Sequence, residues 1–304
     1  MTKENQSARW QYLMPLIFVT LYGSGFVGAK LGLPYSEPLT FLMWRFACTT
    51  ILLLFIALLL GVPWPRKLNE IGHIMVAGLL MLGVFSTGVF VAIYLGISPA
   101  ISALIIALQP ILVALGAGPV LKEKIQLQQW IGFILGLFGV FLVISHKLTM
   151  NHADVLGIGM CFLGLFGLTA GNLYQKRFCA HMNIFSGGLL QSLASGIAVF
   201  IAALTFETMQ VNWTNQFVFA LAWMSIVVSI GALSLLYLLI RHGAVIQVAS
   251  LFYLVPVSTA VIAYFVYNEA IDGVAMLGIL IIALGIMLVQ KRRFLPVKVS
   301  VKES

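Results

Sequence analysis

Bond-making chemistry needs groups that move protons, electrons or leaving groups, and this sequence keeps nearly all of them out of its long apolar runs. The nine acidic residues are Glu4, Glu37, Glu70, Glu123, Asp154, Glu207, Glu269, Asp272 and Glu303, and the five histidines are His73, His146, His152, His181 and His242. Each falls at or beyond the end of an apolar run. Cys48, Cys161 and Cys179 have no metal-like spacing and read as small hydrophobes, with no disulfide expected. No Gly-Lys-Ser/Thr loop is present to cradle a nucleotide phosphate. What does lie at mid-depth is polar and uncharged: Ser24, Tyr94, Gln109, Asn172, Tyr237, Ser250 and Tyr253. Such groups recognise a solute by hydrogen bonds and break nothing. No metal, cofactor or catalytic residue is expected. Each also has a plainer reading. Gln109 can satisfy the backbone beside Pro110, Asn172 can bond across a helix contact, and the tyrosines can simply pack.

The elements that must carry these residues follow from composition. The chain has 304 residues, of which 61% are hydrophobic and 9% charged, with mean hydropathy +1.06. A soluble domain of this size cannot hide so much apolar surface, so the solvent is lipid. Breaks between apolar runs predict ten spans, near 12–33, 38–61, 71–96, 99–121, 127–145, 154–175, 184–205, 214–240, 245–267 and 273–290. All of the 17 Lys and Arg except Lys30, Arg45 and Lys147 then fall on one side. That side is read as cytoplasmic, with both termini there. The net charge of +8 therefore reports topology, and no nucleic-acid partner is expected. Lys30 is read as snorkelling from the outer end. Arg45, about 10 Å into its span by helical rise, is expected to snorkel outward or to pair with Glu37 or another outer carboxylate.

The chain also repeats itself. Residues 101–140 align without gaps on 247–286 at a shift of 146, pairing Pro110 with Pro256, Glu123 with Glu269, Gly132 with Gly278 and Gly139 with Gly285. The same shift pairs Gly25 with Gly171 and Lys30 with Lys176. Two five-span units result, 12–145 and 154–290, joined near 145–154. Five is odd, so the second unit enters the membrane inverted, which is a device of carriers that alternate access about one central site. Pro110 and Pro256 should kink their helices at equivalent depth.

These residues resemble the ten-span, two-EamA-domain members of the drug/metabolite transporter superfamily. The opening helix reads YGSGFVGAK, the second carries FLMWRF, and the units close on LQPILVALGAGPVLKEK and LVPVSTAVIAYFVYNEA. The family pattern places a glycine before each closing glutamate; here Lys122 and Asn268 stand there. The resemblance implies an all-α integral membrane fold of ten helices in two inverted five-helix repeats. It implies a cavity lined by helices 1, 3, 4, 6, 8 and 9, with 5 and 10 behind. On those helices the seven mid-depth polar residues become candidate solute contacts, with Gly25, Pro110 and Pro256 as candidate hinge or gating positions. The expected protein is a carrier of a small neutral or zwitterionic metabolite such as an amino acid, without obligatory proton antiport. A proton-coupled efflux antiporter is the alternative, and a channel or a membrane enzyme is less favoured. Its partners are the solute and lipid, its state a monomer or weak homo-oligomer, and its place a bacterial inner (plasma) membrane.

Overall fold

A computed structural model describes residues 3–121, 125–144, 154–267 and 273–290. The acidic turns at Glu123 and Glu269, the junction at 145–153 and the basic stretch 291–304 lie outside the described residues. The chain is helical: α1 (Lys3–Gly32), α2 (Pro38–Leu59), α3 (Leu68–Tyr94), α4 (Pro99–Ile106 and Gln109–Leu121) and α5 (Leu127–Ile144), then α6 (Asp154–Phe178), α7 (Ile184–Phe206), α8 (Asn215–His242), α9 (Val245–Ser250, Leu251–Tyr253 and Leu254–Tyr267) and α10 (Gly273–Gln290). Among the described residues, eight helices are long and apolar enough to cross a membrane, against the ten spans expected. The apolar stretches of α5 and α10 that meet the description, Leu127–Gly139 and Met276–Val289, are shorter.

Helix starts follow their capping chemistry. Ser98 accepts from the Ile101 amide with Pro99 at the first helical position, Asn183 accepts from the Phe185 and Ser186 amides, and Thr214 accepts from the Phe217 amide. The start of α2 borrows its cap. The Glu207 carboxylate, at the end of α7, accepts from the Leu39 and Thr40 amides, both at 2.7 Å, and from the Thr40 hydroxyl at 2.8 Å. Glu37 reciprocates by accepting from the Thr208 amide and hydroxyl and from the Met209 amide. Two carboxylates thus clasp the α1–α2 turn to the α7–α8 turn, and the Glu207 charge meets the positive end of a helix dipole. At the far end of α8, Lys176 donates to the carbonyls of Ile240 and Gly243, the negative end of that helix.

The element boundaries keep the repeat offset. Helix starts at Pro38 and Ile184, Pro99 and Val245, and Leu127 and Gly273 are each separated by 146 residues. So are two irregularities. The π-helical segment Leu79–Val84 of α3 corresponds to positions inside the π-helical segment Trp223–Ala232 of α8. The breaks before Pro110 and Pro256 fall close to the same register: the turn at Ala107 and Leu108 maps onto Tyr253 and Leu254, at the end of the 3-10 segment Leu251–Tyr253.

Packing repeats as well. α2 lies on α7 and α5 on α10, while α1 packs on α8 and α9 as α6 packs on α3 and α4. Glycines set the close approaches. A Cβ on Gly132 would meet the carbonyl of Gly285 at 2.6 Å, and one on Gly139 would meet that of Gly278 at 2.7 Å. As the numbers rise along α5 they fall along α10, so the pair is antiparallel. The shift of 146 carries each of these glycine contacts onto the other. Between α2 and α7, Ser192 donates to the carbonyl of Phe46, its own counterpart at the same shift.

Candidate functional site

Three helices of the first half and one of the second enclose a small cavity. Tyr22 and Gly25 come from α1, Arg45 from α2, Ser86 and Phe90 from α3, and Val228 from α8. About 30 Å³ is free inside it, room for one or two waters. A second void of about 10 Å³ lies next to it, bordered by Thr49, Ser192, Ser229 and Tyr237. Leu82 and Leu233 line both and stand between them.

Arg45 is the one charged side chain on the lining, and its surroundings differ from expectation. It is 4% exposed and pairs with neither Glu37 nor Glu207, both of which are engaged with backbone amides. Its Nε donates to Ser229 Oγ at 2.9 Å across the α2–α8 contact. Ser229 in turn donates to the Met224 carbonyl five residues back, the spacing of the π segment it sits in. The guanidinium carbon lies 5.7 and 5.9 Å from the ring centres of Phe46 and Phe90, a cation–π setting. No carboxylate pairs with Arg45 among the described residues, and its two Nη groups make no hydrogen bond among them. The Tyr22 hydroxyl, on the same lining, is buried without a partner.

The residues singled out from the sequence are dispersed. Gly25 faces this cavity and also meets the Val228 side chain, so the small-residue opening of α1 serves both helix contact and space. Ser24 turns away; its hydroxyl donates to the Leu21 carbonyl and accepts from the Trp223 indole at 2.9 Å. Tyr237 borders the smaller void, but its hydroxyl donates to Gln191 Oε1 at 2.5 Å, and Gln191 Nε2 donates to Gln175 Oε1 at 2.8 Å. That buried chain ties α8, α7 and α6 together. Ser250 donates within its own helix to Gln247. Tyr253 lies against α5, donating to the Phe133 carbonyl at 2.8 Å, with its ring over Gly136. Tyr94 is not at mid-depth. It ends α3, is 53% exposed and borders an open basin of about 530 Å³ with Tyr35, Glu37, Thr208 and Asn212. Gln109 is fully buried and does not satisfy the neighbouring backbone, since both amide atoms lack a partner among the described residues; Asn172 Oδ1 lacks one too. Neither lines the cavity beside Arg45.

Between basin and cavity stand rings. Phe90 lines the cavity and packs on Phe41 at 5.4 Å between centroids, and Phe41 packs edge-on against Phe217 at 5.6 Å. Tyr94, one turn beyond Phe90, is already in the basin. Toward the other end, burial with the Glu70 charge nearby pushes the Cys179 thiol up to about 11, which keeps it inert. Among the described residues, no group of three or more His, Cys, Asp and Glu is placed to hold a metal ion.

The sequence pattern of the EamA-like transporter family matches residues 9–145 and again 155–290. The chain belongs to the EamA-like transporter family. It is therefore a multi-pass membrane protein of a transporter family rather than an enzyme. It is 23% identical over 285 residues to a probable amino-acid metabolite efflux pump of Escherichia coli (strain K12), covering 90% of this chain and 92% of that one. It is 27% identical over 288 residues to the uncharacterized transporter YvbV of Bacillus subtilis (strain 168), covering 92% and 91%. An S-adenosylmethionine uptake transporter of Rickettsia bellii (strain RML369-C) matches at 27% over 244 residues, 78% of each chain. A crystal structure at 17% identity superposes with a TM-score of 0.76 over 92% of this chain and 96% of its own, which speaks for the fold alone.

Arg45 and Tyr22 line the cavity but were not among the solute contacts expected from the sequence. The available signal was depth: a cation some 10 Å inside a span is costly unless something answers it.

Proposed function

We propose that this chain is a secondary carrier of a small neutral or zwitterionic metabolite, working by alternating access between two inverted five-helix repeats, 12–145 and 154–290. In this reading α5 and α10 complete ten spans, both termini are cytoplasmic, and the membrane is a bacterial inner membrane. The observation that carries the proposal is the position of the cavity. Its walls come from both halves, at the α1–α8 and α2–α8 contacts, and it is closed by rings on one side and by Leu82 and Leu233 on the other. The antiparallel glycine contacts of α5 and α10 support the inversion, because a two-fold axis that exchanges antiparallel helices runs across them. The paired breaks before Pro110 and Pro256 are the proposed hinges, where freed backbone groups let a helix bend. The relatives' names include both efflux and uptake, so direction is left to the gradient.

The test is counterflow. Purified full-length protein in proteoliposomes preloaded with a candidate amino acid should take up labelled solute saturably, and faster with solute on the far side. Flux that rises linearly with concentration and ignores far-side solute would indicate a pore and overturn the carrier reading.

A further inference from the structure

Arg45 is a buried cation with an unmet need. A guanidinium in a low-dielectric site is stable only when its charge and its donors are answered. Here Ser229 takes one donor and two phenyl rings offer their faces, while both Nη groups stay without a hydrogen bond among the described residues. The free space is too small to hydrate the group fully. The Tyr22 hydroxyl on the same lining is likewise unpartnered. Apart from Ser86, the rest of the wall is apolar, including Phe26, Met81, Phe85, Val89, Met224 and Val228. Two Nη groups and a phenol are donors, so the missing group is an acceptor carrying negative charge. A planar carboxylate matches the guanidinium fork, and the apolar wall suits an apolar body attached to it.

We propose that Arg45, together with the Tyr22 hydroxyl, receives a carboxylate of the transported solute, and that the substrate class is small carboxylate-bearing molecules with an apolar body. This rests on the carrier reading for the word transported, though binding itself does not; a zwitterion keeps the substrate of that reading, and a simple monocarboxylate would replace it by an anion. The cavity must widen to admit the body. Leu82 and Leu233, which part it from the second void beside Ser192 and Ser234, are the side chains whose movement would join the two spaces.

The experiment measures ligand-induced shifts in the thermal unfolding midpoint of the purified full-length chain. The probes are L-leucine, 4-methylpentanoate, L-leucinamide, isoamylamine and chloride at equal concentration. The two carboxylates test the head group, and the amide and the amine share the body without it. A stabilising shift by leucine alone identifies an amino-acid carboxylate, and one by 4-methylpentanoate identifies a simple monocarboxylate; either supports the proposal. Leucinamide or isoamylamine stabilising as well as the acids, chloride stabilising as well as they do, or no shift with either carboxylate overturns it. These comparisons use the unaltered protein, so they stand even where a variant does not fold. Arg45→Gln should weaken carboxylate binding about tenfold or more, the loss of a charge-assisted pair, while Arg45→Lys retains part of it and Tyr22→Phe weakens it less than Arg45→Gln. Unchanged binding in folded Arg45→Gln sinks the assignment. Counterflow of a solute without a carboxylate would leave the carrier standing and this inference fallen; carboxylate binding without counterflow would do the reverse.

Discussion

At the scale of single residues, two buried tyrosines differ in their bonding. The Tyr22 hydroxyl is buried without a partner, whereas the Tyr237 hydroxyl is committed to Gln191 and through it to Gln175. Removing the Tyr237 hydroxyl leaves Gln191 Oε1 buried without that donor, at a cost of about 1–2 kcal/mol. Tyr237→Phe is therefore expected to lower the unfolding midpoint while leaving solute affinity near the original. A variant as stable as the parent but with weakened binding would move Tyr237 into the site. The sequence singled out Tyr237 but not Tyr22, and could not say which way either ring turned. In a soluble helix the apolar stripe marks the inner face; in lipid the outer face is apolar too, so rotation about the helix axis leaves little trace. That is why Arg45, Tyr22 and Tyr253 had to be placed by structure. Tyr94 went astray along the helix instead, since apolar residues continue past it and hide the point where α3 ends.

The helices show which small residues hold and which make room. The repeat offset, the span order and the paired prolines were legible because each rests on residue identity at fixed spacing. The paired π segments were not, since neither Leu79–Val84 nor Trp223–Ala232 contains a proline, and the one glycine in each, Gly83 and Gly231, looks like the many other glycines inside these helices. Glycines separate by their neighbours. On Gly132 any Cβ meets a backbone carbonyl of α10, an atom with nowhere to go. On Gly25 the nearest atom is the Val228 methyl at 3.3 Å, beside the cavity. Gly132→Leu should thus break the α5–α10 contact, costing about 1–3 kcal/mol or more and lowering the yield of folded protein. Gly25→Leu should keep more of that yield and lose counterflow, because its side chain fills space the solute needs. Fluorescence-detected size exclusion gives yield, and proteoliposome uptake gives flux. The reverse ordering, with Gly132→Leu folded and Gly25→Leu misfolded, would mean that α1 rather than α5 is the packed seam.

The whole molecule decides how transport is driven. A proton-coupled carrier needs a group that takes up a proton in one state and releases it in the other. Among the described residues the lining of both voids includes no Asp, Glu or His. The two acids of the clasp, Glu207 and Glu37, accept from four backbone amides and two threonine hydroxyls that pin them in place. Glu123 and Glu269 lie outside the described residues and are the first places to look should coupling be found. The expected outcome is downhill or exchange transport with no obligatory proton. With the membrane potential clamped, an imposed pH gradient alone should drive no uphill accumulation in proteoliposomes, and accumulation would refute the prediction. The potential then reads the net charge carried with Arg45 occupied. A zwitterion moves none, so its distribution should ignore voltage. A monocarboxylate moves one charge, worth about 2.3 kcal/mol per 100 mV, which shifts its accumulation roughly 50-fold. Voltage dependence therefore separates the two carboxylate sources by transport, independently of the binding comparison.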